Sequence, residues 1–194
     1  VKKKFMFYRA STALVYCYLI ALFDLKIEGK ESVPKKGPFI LAANHLSNLD
    51  PPLLATVSPR KVGFLAKEEL FKTKIAAFYF KGAGVMPLKR GQNDIRAIRL
   101  ALKVLKNRPL TIFPQGTRGT SMEAANSGVG FLCSKAKVPV VAAKIYGTDQ
   151  KSSKDVNLFN KGKIRVIFAR VENIEEGDSY QDITQKVMGK IKSL

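Results

Sequence analysis

The chain has 194 residues, enough for one domain with a core of its own. Hydrophobic residues make up 46% and charged residues 25%, a balance that argues against global disorder. Lys and Arg total 34 against 15 Asp and Glu, and the net charge of +19 points to a polyanionic partner: nucleic acid, anionic lipid or a phosphorylated substrate.

The N-terminal stretch combines Lys2, Lys3 and Lys4 with an apolar run from Phe5 to Phe23 that only Arg9 interrupts with a charge. As a helix this run reaches about 28 Å, near the thickness of a bilayer's hydrocarbon core. A helix lying in one leaflet accommodates Arg9 and uses the lysines as headgroup contacts, so a monotopic anchor over residues 1–25 is the first expectation. A spanning helix is the second and a buried core helix the third. Ala21-Leu22-Phe23 makes a poor signal-peptide cleavage site.

Residues 26–194 read as one unit without repeats or low-complexity segments. PFILAAN (38–44) is an expected buried strand, followed by Asp50-Pro51-Pro52, a helix-start signal with Asp as N-cap and Pro at the first turn. KVGFLA (61–66), GVMPL (84–88), LTIFP (110–114) and VPVVAAKI (138–145) are further strand candidates. Helical spacing marks 94–107, with Asp94 as N-cap, and 128–137. KIRVIFARV (163–171) alternates in the manner of an edge strand, and 179–191 is an amphipathic helix with Ile183, Val187 and Ile191 on one face. Strands alternating with helices predict an α/β fold: a largely parallel or mixed central sheet flanked by helices, plus the N-terminal membrane-associating segment. Its active site is expected beyond the carboxyl ends of the strands.

Chemistry-bearing residues cluster at those ends. His45 and Asp50 in NHLSNLD (44–50) flank a short strand-to-helix turn, where the carboxylate can fold back on the imidazole, fix its tautomer and raise the basicity of the other nitrogen. By itself such a pair is more often an N-cap beside a packed ring. FPQGTR (113–118) offers Gly116 for close approach to an anion, Thr117 as a hydroxyl donor and Arg118 as a guanidinium fork. Lys67 and Arg90 follow two more strand ends. Together they suggest one base with its orienting carboxylate beside several cations, suited to activating a hydroxyl on a phosphorylated substrate. With only one His (His45) and two Cys (Cys17 and Cys133) at no ligand spacing, no metal is expected, and two free thiols suit a reducing compartment.

In this order and at these separations the motifs resemble the glycerolipid acyltransferase family, specifically its 1-acyl-sn-glycerol-3-phosphate acyltransferases. Asn44, His45, Ser47 and Asp50 match an NHxSxxD block. Val85–Arg90 matches a strand ending in Arg, Phe113–Arg118 matches FPEGTR with Gln115 in place of Glu, and Val138–Val141 matches an apolar strand with a central Pro139. The resemblance implies that His45, supported by Asp50, deprotonates the sn-2 hydroxyl of lysophosphatidic acid. That oxygen then attacks the thioester of acyl-CoA or acyl carrier protein to give phosphatidic acid. Lys67, Arg90, Gly116, Thr117 and Arg118 would hold the phosphate, with Asn44, Ser47, Gln115 and Pro139 as motif support. No cofactor beyond the acyl co-substrate is implied. The expected partners are an anionic phospholipid membrane, lysophosphatidic acid and the acyl donor, at the cytosolic face of the plasma membrane. Gln115 suggests a weakened or retargeted enzyme rather than an inactive one. The alternatives are another lysophospholipid or glycerol 3-phosphate as acceptor, or a non-enzymatic basic membrane-binding protein. The charge permits nucleic-acid binding, but no nucleic-acid signature is present and no specific nucleic-acid partner is expected.

Overall fold

The expected apolar runs do pair into one sheet, with its strands covered on both faces near the centre and on one face at one side. The computed structural model describes residues 2–88, 94–115, 128–149 and 161–194. Seven strands are seen: β1 (Phe23–Glu28), β2 (Ile40–Ala43), β3 (Gly63–Lys67), β4 (Val85–Leu88), β5 (Leu110–Ile112), β6 (Val140–Tyr146) and β7 (Gly162–Arg170). The helices are α1 (Lys2–Leu22), α2 (Asp50–Val57), α3 (Lys74–Gly82), α4 (Asp94–Leu105), α5 (Gly128–Ala136) and α6 (Tyr180–Ser193). Strand order is β1-β7-β6-β2-β5-β3-β4. All neighbours are parallel except β6 and β7. The carboxyl ends of β6, β2, β5, β3 and β4 therefore share one sheet edge.

Alternation along β2 and β6 divides the core. Leu41, Ala43, Val141, Ala143 and Ile145 pack on one face with Leu19 of α1 and Leu53, Leu54 and Val57 of α2. Ile40, Ala42, Val140 and Ala142 face the other side, under Val104, Leu132, Ile183 and Val187 of α4–α6. Burying both faces explains why these runs read as continuous apolar strands instead of alternating ones. Gly130 lets α5 approach α6, because a Cβ there would collide with the Tyr180 carbonyl. Ser179 and Asp182 form a reciprocal capping box at the start of α6.

One expectation is corrected. β7 is not the edge strand: it lies between β6 and β1, and β1 is the edge. The alternation in β7 arises because Ile164, Val166 and Phe168 join the α1/α2 core while Lys163 and Arg165 face the uncovered side. β1 itself was hidden because Phe23 had been absorbed into the preceding apolar run. Among the described residues no helix is long and apolar enough to cross a membrane. The inner side of α1 packs on α2, with the Tyr8 hydroxyl donating to the Ala55 carbonyl at 2.9 Å.

Candidate active site

β2 runs out of the sheet at Ala43, and the next seven residues turn sharply to enter α2. Asn44 fixes the exit. Its side chain brackets Ile145 on β6, donating from Nδ2 to the carbonyl at 2.9 Å and accepting the Ile145 N–H at 2.7 Å. His45 follows, and its backbone N–H donates to Gln115 Oε1 at 2.8 Å. Its imidazole lies on the Phe113 ring, with centroids 4.1 Å apart and planes 20° from parallel. Asn44, His45 and Gln115 are thus held by three neighbouring strand ends, on β2, β5 and β6.

Asp50 occupies the first turn of α2 but does not cap the helix. No side-chain cap bond is present there. Its carboxylate turns backwards instead. Oδ2 accepts from His45 Nδ1 at 2.8 Å and from the N–H groups of Leu46 at 2.6 Å and Ser47 at 2.8 Å. Oδ1 accepts from the Thr148 hydroxyl at 2.6 Å. Four donors compensate a carboxylate side chain that is 0% exposed, as a buried charge requires. A carboxylate only accepts, so Nδ1 carries the ring proton and Nε2 is the nitrogen able to take another. Pro51 and Pro52 suit this arrangement because the helix start supplies no N–H at those positions for Asp50 to bind. Ser47 shapes the same turn, with Oγ accepting the Leu49 N–H at 2.9 Å.

The structure thus brings Asn44, His45, Ser47, Asp50 and Gln115 together. Lys67 ends β3, two strands from β2 across β5, about 10 Å sideways along the same edge. Pro139 does not join them. Its carbonyl accepts the Ile40 N–H at the other end of β2, about 16 Å of strand away from His45. Arg90, Gly116, Thr117 and Arg118 lie outside the described residues. Thr148 and Phe113 were not singled out from the sequence as site residues. Thr148 is 98 positions from Asp50, so only the topology shows the pairing, whereas Phe113 belongs to the FPQGTR block and its stack was hidden by its apolar character. Among the described residues no group of three His, Cys, Asp or Glu is placed to hold a metal ion. A recess of about 610 Å³ lined by Cys133, Pro139, Val140 and Arg170 opens at the opposite sheet edge. Cavity size therefore does not locate the site; the hydrogen-bonded dyad at the strand ends does. Cys133 takes no part, and burial pushes its thiol up to about 12.

Comparison with known proteins agrees with this geometry. A family model described as acyltransferase matches residues 24–146, a span that contains β2 to β6, all of β1 but Phe23, and the whole dyad. A 1-acyl-sn-glycerol-3-phosphate acyltransferase of Bacillus subtilis is 29% identical over 145 residues, covering 74% of this chain and 71% of that protein. The enzyme of the same name from Saccharomyces cerevisiae is 30% identical over 147 residues, 72% of this chain and 48% of its own length. A lyso-ornithine lipid O-acyltransferase of Pseudomonas aeruginosa is 34% identical over 124 residues, 63% of this chain and 46% of that protein. The chain therefore spans about half the length of the latter two relatives. The crystal structure of the 1-acyl-sn-glycerophosphate (LPA) acyltransferase from Thermotoga maritima superposes with a TM-score of 0.71 at 24% identity, covering 99% of this chain and 77% of that one. At that identity the likeness supports the fold.

Proposed function

The chain belongs to the acyltransferase family and is an enzyme, and from that premise we propose that it moves a fatty acyl chain from acyl-CoA or acyl carrier protein to the sn-2 hydroxyl of lysophosphatidic acid. The observation that carries this reading is the buried Asp50–His45 pair, with Nδ1 engaged at 2.8 Å. Nε2 takes the proton of the acceptor hydroxyl as its oxygen attacks the thioester carbonyl. The tetrahedral intermediate collapses, the C–S bond breaks, and the imidazolium returns its proton to the leaving thiolate. Asp50 stabilises that imidazolium and keeps the ring in the productive tautomer. Gln115, Asn44 and Ser47 hold the loop that carries the base. Lys67, Arg90, Gly116, Thr117 and Arg118 are assigned to the acceptor's phosphate.

The site works at the surface of an anionic membrane. Residues 1–25 serve as the docking segment and 26–194 as the acyltransferase domain, with β1 tying the two together. Met6, Ala10, Ala13, Leu14 and Cys17 recur at helical spacing on the exposed side of α1. Beside them Phe7 contacts Phe78 of α3, whose Ile75 and Phe78 are 85% and 70% exposed. Such a contiguous apolar surface suits a lipid interface, and the lysines of α3 add attraction to anionic headgroups. Catalysis is assigned to the cytosolic face, a reducing compartment that the free Cys17 and Cys133 suit.

The test is acyl transfer in detergent micelles with each donor and a panel of lysophosphatidic acid, lyso-ornithine lipid and glycerol 3-phosphate. The Pseudomonas relative justifies the second acceptor. Turnover of lysophosphatidic acid that disappears in His45→Ala is expected. Turnover of another acceptor alone would reassign the substrate, and wild-type turnover that survives His45→Ala would overturn the role of the base.

A further inference from the structure

The family motifs end before Thr148, yet this residue completes the coordination of Asp50. It is 4% exposed, and its hydroxyl donates to Oδ1 at 2.6 Å. Oδ2, the oxygen on the imidazole, already receives three donors from the β2–α2 turn. Oδ1 receives its donor from another part of the sheet. The carboxyl torsion of Asp is a broad, roughly two-fold one, so a group at Oδ1 is what selects the angle at which Oδ2 meets Nδ1.

The scaffold behind Thr148 is rigid. Gly147 has φ +80, and a Cβ there would strike the Lys163 carbonyl, so the chain leaving β6 lies directly against β7. Two residues earlier, Ile145 is bracketed by Asn44. The end of β6 thus grips the catalytic turn at two points, once at its first residue and once at Asp50.

We propose that Thr148 is a positioning residue: by holding Asp50 Oδ1 it fixes the carboxylate plane and, through it, the Nδ1–H tautomer and orientation of His45. The catalytic consequence rests on the acyl-transfer reading, but the tautomer does not. His45 is the single histidine of the chain, so its imidazole nitrogens give an unambiguous spectrum.

The experiment uses the full chain labelled with ¹⁵N-histidine in detergent micelles, read by two-bond ¹H–¹⁵N correlation, beside steady-state acyl transfer. Wild type should show the neutral ring as Nδ1–H. Thr148→Val keeps the shape and removes the donor. It should give a mixture of tautomers and a kcat about 10- to 100-fold lower, the range expected when a group that orients a functional side chain is lost. KM for both substrates should stay within about twofold. Thr148→Ser should restore tautomer and kcat together. If circular dichroism shows Thr148→Val unfolded, Thr148→Cys replaces it and should give an intermediate tautomer ratio, because a thiol is a weak donor. Wild-type tautomer and kcat in the donor-less variant would overturn the proposal. So would equal losses in Thr148→Val and Thr148→Ser with an unchanged tautomer, since these assign Thr148 to packing alone. A tautomer shift in a protein that transfers no acyl group would instead refute the acyl-transfer reading and leave the positioning role standing.

Discussion

Asp50→Asn separates charge from geometry at the dyad. Asn can place its oxygen where Oδ2 lies and keep the bonds from His45 Nδ1, Leu46 and Ser47. Its Nδ2 then faces the Thr148 hydroxyl, which can rotate and accept. The fold should survive with a loss of about 1–2 kcal/mol. What disappears is the anion beside the imidazolium that the proposed mechanism forms during proton transfer. His45 and Asp50 side chains are 15% and 0% exposed, so the pair belongs in a medium of intermediate polarity rather than in bulk water. With charge centres about 4 Å apart and an effective dielectric near 20, the interaction is worth about 4 kcal/mol, or roughly 10³-fold in rate. The same pair in bulk water would be worth about 1 kcal/mol, roughly fivefold. The measurement is kcat for acyl transfer by folded Asp50→Asn, with the thermal midpoint recorded alongside. A loss near a thousandfold supports the buried dyad. A loss below about tenfold in folded protein would refute the reasoning, because Asp50 would then act only as a structural acceptor.

Three further outcomes are expected. Gln115→Leu removes the acceptor of the His45 N–H and should cost about 1–3 kcal/mol in a denaturant titration, whereas Gln115→Glu keeps an acceptor and should leave acyl transfer equal or raised. A water-soluble thiol reagent should label exposed Cys17 in the folded chain and reach Cys133, buried and pushed up to about 12, only on unfolding, as mass spectrometry of the labelled protein will show. The Arg165 guanidinium, which donates from Nε and an Nη to Glu28, and the Lys26 ammonium hold the Glu28 carboxyl at about 2 against an ordinary 4.5. The unfolded chain therefore binds the extra proton, so this group's contribution is complete above pH 4.5 and is lost as pH falls to about 2. Urea midpoints across that window should fall less steeply in Glu28→Gln, and the difference should shrink in high salt because the pair is exposed.

Much of the sheet was legible because its central strands are buried on both faces. Runs such as Ile40–Ala43 and Val140–Ala143 leave no other place for so many consecutive apolar side chains. The dyad was legible for a local reason: His45 and Asp50 are five residues apart across one turn, with prolines marking the helix start. What escaped depended on partners distant in sequence. β1 is a strand only because β7 pairs with it, and Thr148 reaches Asp50 only because β6 lies beside β2. The exposed apolar faces of α1 and α3 were half visible. Helix α3 was not read from the sequence, and only the fold shows that its Ile75 and Phe78 stay exposed.

Gln115 shows how far a motif can depart while its geometry persists. At position 115 the structure places an oxygen 2.8 Å from the His45 N–H, inside a site where the side chain is only 6% exposed. An amide oxygen fills that place without charge. A carboxylate would fill it too, but would set a second buried anion near Asp50, since the N–H groups of His45 and Leu46 that the two oxygens bind are neighbours along the chain. Buried like charges oppose each other unless a cation stands between or beside them. A Glu at this place would therefore call for a cation beside it, a demand that the neutral amide of Gln does not make. In the proposed mechanism the anionic support of the imidazolium rests on the carboxylate that touches the ring. That is why neutralising Asp50 should cost the larger share of the rate, while the charge at 115 should tune it.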